Sequence, residues 1–208
     1  LKPTGRARDV VVSTYEIDGL LIKTGDIICT TDTEGDILPG EFWRLLGRLV
    51  PGAVDHVAIY VGPGGRCVEA GGKGVITFEL AGSSWVPGKM TKHRGRFLDR
   101  LYGVAYPLMG RDLSQEEEAR IRRSVAEYCL RQAAARKPYN INFLNPDTED
   151  GFYCSQLAYK AYLPHGIDLN TGKGVPNVPG TSSIVFPQEI WDGCWNQRAG
   201  ERAVQRNV

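Results

Sequence analysis

Apolar positions along the chain alternate between period two and helical spacing, and each switch marks an element. Residues 1–15 are polar and basic, then β-leaning at Val10-Val11-Val12, which predicts a frayed start leading into a short strand. Gly25-Asp26 introduces Ile27-Ile28-Cys29-Thr30-Thr31, a β-branched run that reads as a strand. Pro39-Gly40 marks a turn, and Phe42, Leu45, Leu46 and Leu49 then recur at helical spacing, so a short helix is expected over 41–50, stopped by Pro51-Gly52.

His56-Val57-Ala58-Ile59-Tyr60-Val61 is the strongest strand signal. Val57, Ile59 and Val61 share one face, and His56, Ala58 and Tyr60 share the other. Gly62-Pro63-Gly64-Gly65 is a turn, so Arg66-Cys67-Val68-Glu69-Ala70 is expected as the paired strand. Gly71-Gly72-Lys73-Gly74 turns the chain again into Val75-Ile76-Thr77-Phe78, and Gly103-Val104-Ala105-Tyr106 predicts a further strand. Ser114 with Glu117 fits a capping box opening a helix to about residue 136, with Ile121, Val125, Tyr128 and Cys129 on one face. A second helix is expected over 153–163, where Cys154, Leu157, Ala158 and Ala161 form a stripe. Residues 164–182 are rich in Gly, Pro and Asn and read as a long loop.

The 208 residues suit one domain spanning 1–208. Lys plus Arg total 25 against 24 for Asp plus Glu, which argues against a nucleic-acid binder working by bulk electrostatics. No apolar run reaches the roughly 18 residues of a membrane span, so no stable membrane insertion is expected. The chain opens on Leu1 rather than Met, as expected of a processed or excised domain, and its N-terminus carries no compartment signal. Five cysteines at irregular spacing make a poor disulfide framework, and three distant histidines with no Cys-x-x-Cys pair argue against structural zinc.

Cys154 stands apart because it opens a predicted helix. A helix N-terminus favours a thiolate and offers free backbone N–H groups to an oxyanion. The competing interpretation is a core cysteine, since Cys154 shares the apolar stripe. His56, at the start of the best strand, is the candidate proton carrier, against the alternative of a satisfied buried histidine. His93 lies in a basic stretch expected to be solvated, and His165 lies in a loop. Glu69, on the strand paired with that of His56, is the candidate group to orient the ring, the alternative being a rim carboxylate or a salt bridge. Gly71-Gly72-Lys73-Gly74 lacks the spacing of a phosphate loop and reads as a tight turn, though Lys73 is placed to meet a substrate carboxylate. Trp43, Trp85, Tyr139, Phe152 and Tyr153 are candidates for lining a cleft, with core packing as the alternative.

Gly25-Asp26-Ile27-Ile28, Asp55-His56-Val57-Ala58-Ile59-Tyr60-Val61-Gly62, Val68-Glu69-Ala70-Gly71-Gly72-Lys73-Gly74-Val75 and Tyr153-Cys154-Ser155-Gln156-Leu157 together resemble the YiiX/YebB-like branch of NlpC-type cysteine hydrolases. The resemblance runs from about Gly25 to Phe186-Pro187. It implies an α+β, circularly permuted papain-like fold with an antiparallel sheet packed against the cysteine helix. It also implies Cys154 as nucleophile, His56 as base and Glu69 as orienting residue; Lys73 and Tyr153 stand beside them as candidate substrate contacts on the residues alone. The implied reaction is amide hydrolysis in a peptide substrate such as a bacterial cell-wall fragment, with no metal or organic cofactor. That activity fits a bacterial cytoplasmic protein, or a periplasmic one if exported or delivered as a toxin domain. Lecithin–retinol acyltransferase-like enzymes share the permuted order, but their Asn-Cys-Glu-His motif is replaced here by Tyr153-Cys154-Ser155-Gln156. A thiol acyltransferase or lipase acting on lipid esters is therefore the first alternative, and a non-catalytic binding module the second.

Overall fold

The computed structural model describes residues 10–35 and 52–206. The chain opens with a hairpin, β1 (Thr14–Ile17) and β2 (Leu20–Lys23), followed by β3 (Ile27–Gly35), β4 (His56–Gly62), β5 (Arg66–Gly71) and β6 (Gly74–Glu79). Helix α1 (Pro87–Arg94) and strand β7 (Phe97–Tyr106) precede the long helix α2 (Gln115–Ala134) and helix α3 (Cys154–Tyr162). Helix α4 (Pro187–Gly193) and strands β8 (Trp195–Arg198) and β9 (Gln205–Arg206) complete the chain. The expected turn at Pro39-Gly40, the expected helix over 41–50 and Trp43 lie outside the described residues.

Strands β6-β5-β4-β3-β7-β8-β9 form one antiparallel sheet in that order. The protein is therefore an α+β molecule built on antiparallel sheets. Both faces of the large sheet are covered, so every residue of β4 is buried. Ile27, Cys29, Val57, Ile59, Val68 and Ala70 pack with Val125 of α2, Leu157 and Ala158 of α3, and Ile190 of α4. Ile28, Ala58, Tyr60, Cys67 and Phe78 face the other way, toward Ile17, Leu20 and Ile22 of the hairpin and Met90 of α1. Side chains as fully enclosed as Ile59 and Leu157 each contribute about 1.5–3 kcal/mol.

Local chemistry accounts for the boundaries. Asp18 and Gly19 both take positive φ (47° and 78°), the pairing that a two-residue hairpin turn needs. The early strand thus begins at Thr14, and Val10-Val11-Val12 is irregular chain ahead of it. Ser114 caps α2 with the expected reciprocal box: Glu117 N–H donates to its hydroxyl, and the Glu117 carboxylate accepts from Ser114 N–H. Pro87 opens α1, Lys92, His93 and Arg94 occupy its negative end, and Gly95 at φ 76° stops it. The 164–182 loop is tied down at several points. Ile167, Leu169 and Val175 enter the core, and Glu189 of α4 accepts from the Thr171 hydroxyl and the Lys173 N–H.

Candidate active site

Residues 151–153 are held extended before they turn into α3. Phe152 N–H donates to the Pro138 carbonyl at 3.0 Å, and Asn140 N–H donates to the Phe152 carbonyl at 3.1 Å. A Cβ on Gly151 would stand 2.8 Å from that same Pro138 oxygen, so a side chain there would push the 138–140 and 151–153 segments apart. Gln156 then locks the helix start. Its Oε1 accepts from Tyr153 N–H (3.1 Å) and Asn140 Nδ2 (3.0 Å), and its Nε2 donates to the carbonyls of Pro146 and Thr148. Ser155 Oγ donates to the Val185 carbonyl at 2.6 Å. Cys154 is thereby the first residue of α3, where the opening N–H groups of a helix have no intrahelical acceptor.

His56 begins β4, and its buried ring lies close enough to the Cys154 side chain for the two to interact electrostatically. Its Nε2 lies 2.9 Å from Oε2 of Glu69, which leaves Nδ1 for the sulfur. Both residues are nearly sealed from solvent, His56 at 4 % exposure and Cys154 at 2 %, so electrostatic interactions between them are weakly screened. The ring packs on Phe97 at 4.6 Å between centroids. Burial disfavours a charged imidazole, but the Cys154 sulfur and Glu69 overcome this and raise the His56 pKa to about 10.

Glu69 is buried in β5, on the same sheet face as His56. Burial alone would favour its neutral form. The Arg94 guanidinium and the His56 ring reverse that and lower its pKa to about 2. Arg94 Nε donates to Oε1 and Nη2 to Oε2, each at 2.9 Å. On its far side Arg94 donates to both oxygens of Asp99, and Trp85 Nε1 donates to Asp99 Oδ1 at 3.1 Å. The guanidinium is walled by Phe97 at 4.4 Å and by Phe78 and Trp85 at 4.9 Å each. A continuous buried hydrogen-bonded chain therefore runs His56–Glu69–Arg94–Asp99–Trp85, with Cys154 at the His56 end. A cleft of ≈ 500 Å³ lined by Asp32, Thr33, Asp55, Leu98, Asp99 and Arg100 opens beside it.

The structure brings together Cys154, His56 and Glu69, the three residues expected from the sequence to share chemistry. The other two candidates are placed differently. Lys73 Nζ donates to the His93 carbonyl at the end of α1. Tyr153 is 1 % exposed, packs on Phe143 and accepts Val185 N–H through its hydroxyl, so its ring belongs to the core. Of the cleft candidates, Trp85 and Phe152 are buried. The sequence reading missed Arg94 and Asp99. Arg94 lay inside Lys92-His93-Arg94, which reads as a solvated basic stretch, and its partner Glu69 is 25 residues away. Its signal is the aromatic company of Phe78, Trp85 and Phe97.

The remaining cysteines are held as thiols chiefly by burial, which raises Cys129 and Cys194 to about 12 and pushes Cys29 and Cys67 higher still. Among the described residues no group of three or more His, Cys, Asp or Glu is placed to hold a metal ion, and no helix is long and apolar enough to cross a membrane. No family model, curated protein or solved structure matches the chain.

Proposed function

We propose that the protein is a cysteine hydrolase of amide bonds, a peptidase or amidase of the permuted papain-like, NlpC-type class, working through Cys154, His56 and Glu69. The observation that carries this reading is one buried imidazole, bonded to one carboxylate and interacting with a helix-start sulfur. The Cys154 thiolate attacks the substrate carbonyl carbon, and the carbonyl π electrons move onto oxygen. The free N–H groups at the start of α3 receive that oxyanion. His56, charged and pointing Nδ1 at the sulfur, gives its proton to the departing nitrogen, and the C–N bond breaks. Neutral His56 then takes a proton from water, the hydroxide attacks the thioester, and the acid leaves with Cys154 restored. Throughout, Glu69 accepts from Nε2–H and stabilises the imidazolium.

By the resemblance, the amide lies in a peptide such as a bacterial cell-wall fragment. One observation favours the lipid-ester alternative: Ile141 and Leu144 are 71 % and 61 % exposed, on the loop that Gln156 ties to the start of α3. Singly exposed apolar side chains are common, so this is the weaker reading. Purified protein assayed in parallel on cell-wall peptide fragments and phospholipid vesicles, with Cys154→Ala as control, separates the two. Peptide cleavage that depends on Cys154 is expected. Cys154-dependent release of fatty acid without peptide cleavage replaces amide by ester, and no Cys154-dependent turnover of either substrate leaves a binding module.

A further inference from the structure

We propose that Arg94 is a positioning residue of this site: by gripping both oxygens of Glu69 it keeps that carboxylate a pure acceptor, and so aims the protonated His56 ring at Cys154. The inference rests on the reading of Cys154, His56 and Glu69 as a catalytic unit. A buried carboxylate without a cation tends to take up a proton. A neutral Glu69 can donate to Nε2, which moves the proton of a neutral imidazole onto Nδ1, facing the sulfur. In that tautomer the ring cannot accept the thiol proton, and nothing stabilises the imidazolium. Arg94 prevents this with two 2.9 Å bonds, one to each oxygen.

The geometry is specific to an arginine. One planar group donates to two carboxylates on opposite sides, Glu69 of β5 and Asp99 of β7, while three aromatic rings pack around it. A lysine ammonium can supply the charge but cannot direct four bonds in a plane. Asp99 in turn is oriented by Trp85 Nε1. The charged and titratable groups facing this centre are Cys154 from α3, Asp55 immediately before His56, Cys67 on β5, and Arg94 and Asp99. Apart from His56 itself, Arg94 is the only cation among these described residues. Its pairing with Glu69 agrees with the strongly lowered Glu69 pKa, which has the Arg94 charge as its largest favourable cause.

The test reads the site without a substrate. Iodoacetamide, in which the thiolate displaces iodide to form a C–S bond, is used to label Cys154 from pH 5 to 10, with the site quantified by peptide mapping. The proteins are wild type, Arg94→Lys, Arg94→Met, Glu69→Gln and Ser114→Ala. Ser114→Ala weakens the α2 cap away from the site and controls for stability alone. At pH 6, Arg94→Met is expected to label Cys154 roughly tenfold more slowly than wild type, as a one-unit change in proton balance gives. The rates should converge near pH 10, Arg94→Lys should fall between, and Ser114→Ala should follow wild type. If Arg94→Met does not fold, the Glu69 carboxyl ¹³C shift in wild type and Arg94→Lys decides, with titration at higher pH expected in the lysine variant. Identical pH profiles, or identical Glu69 titrations, in wild type and the Arg94 variants overturn the role of Arg94 and leave the catalytic reading intact. Slow wild-type labelling that rises only as an ordinary thiol ionises overturns the catalytic reading itself.

Discussion

Of the five cysteines, only Cys154 has both a helix start and an imidazole partner; burial holds the other four as thiols. At neutral pH, iodoacetamide should therefore modify Cys154 well before Cys29, Cys67, Cys129 or Cys194, and peptide mapping reads the order. Faster labelling of any of those four would assign the nucleophile elsewhere. His56 sets the alkaline limit of the proposed chemistry. Burial works against its charge, but Cys154 and Glu69 keep it protonated up to about pH 10, so it can supply the leaving amine with a proton throughout the neutral range. Activity should fall as pH climbs toward 10. Glu69→Gln removes the carboxylate charge that raises the ring, so the fall should begin at lower pH in that variant; an unmoved limb would give the orienting role to another group. These residues were legible because each marks an element boundary or breaks an apolar pattern: Cys154 opens a helix, His56 opens a strand, and Glu69 interrupts Cys67-Val68 and Ala70. Arg94 was not legible, because a buried cation and a solvated one look alike until the fold brings Glu69 and Asp99 to it.

At the scale of elements, strong periodicity was readable and weak periodicity was not. The β4–β5 pair, β6, and helices α2 and α3 lie where the apolar spacing puts them, within a residue or two. The β1–β2 hairpin was not legible although Asp18-Gly19 carries the turn signal, because its strands are only four residues each and Leu20-Leu21-Ile22 does not alternate. Helix α1 was missed because its buried residues are only Met90 and Arg94, too few to make a stripe. The start of α3 depends on Gln156 more than on any periodic residue. Gln156→Leu keeps similar bulk but strips acceptors from Tyr153 N–H and Asn140 and a donor from two carbonyls. Two or more buried groups left unpaired predict a loss of roughly 2–4 kcal/mol. Urea unfolding measures it, and faster proteolysis within 140–150 should accompany it. A change below about 0.5 kcal/mol, the range of an ordinary surface substitution, would show that the loop finds other partners.

Across the whole molecule, the α+β class and the antiparallel sheet behind the cysteine helix were legible, whereas α4 and strands β8 and β9 were not. The short pieces at that end owe their place to contacts with β7 and to Asn196, which donates to the carbonyls of Trp191 and Cys194. The buried charge chain ties the global stability to pH. Glu69 titrates near 2 in the folded protein against an ordinary 4.5, so its stabilisation is present above 4.5 and is lost as pH falls toward 2. Another buried carboxylate, Asp26, has the opposite sign. Burial outweighs its Arg122 contact and raises its pKa, so acid relieves it rather than costing stability. Burial works against the Arg122 charge, but Asp26 first and Glu118 after it hold the guanidinium charged. The acid loss should therefore be traceable to Glu69. Thermal melts between pH 6 and 3 are expected to drop steeply for wild type. Glu69→Gln should melt lower at pH 6, by the equivalent of about 3–5 kcal/mol for a broken buried pair, nearer the lower figure because Arg94 keeps Asp99. Its curve should then run flatter into acid, since the group that gains a proton is gone. Parallel curves for the two proteins would mean that some carboxylate other than Glu69 governs acid unfolding, and that the Glu69–Arg94 contact is worth no more in the folded chain than its parts are in water.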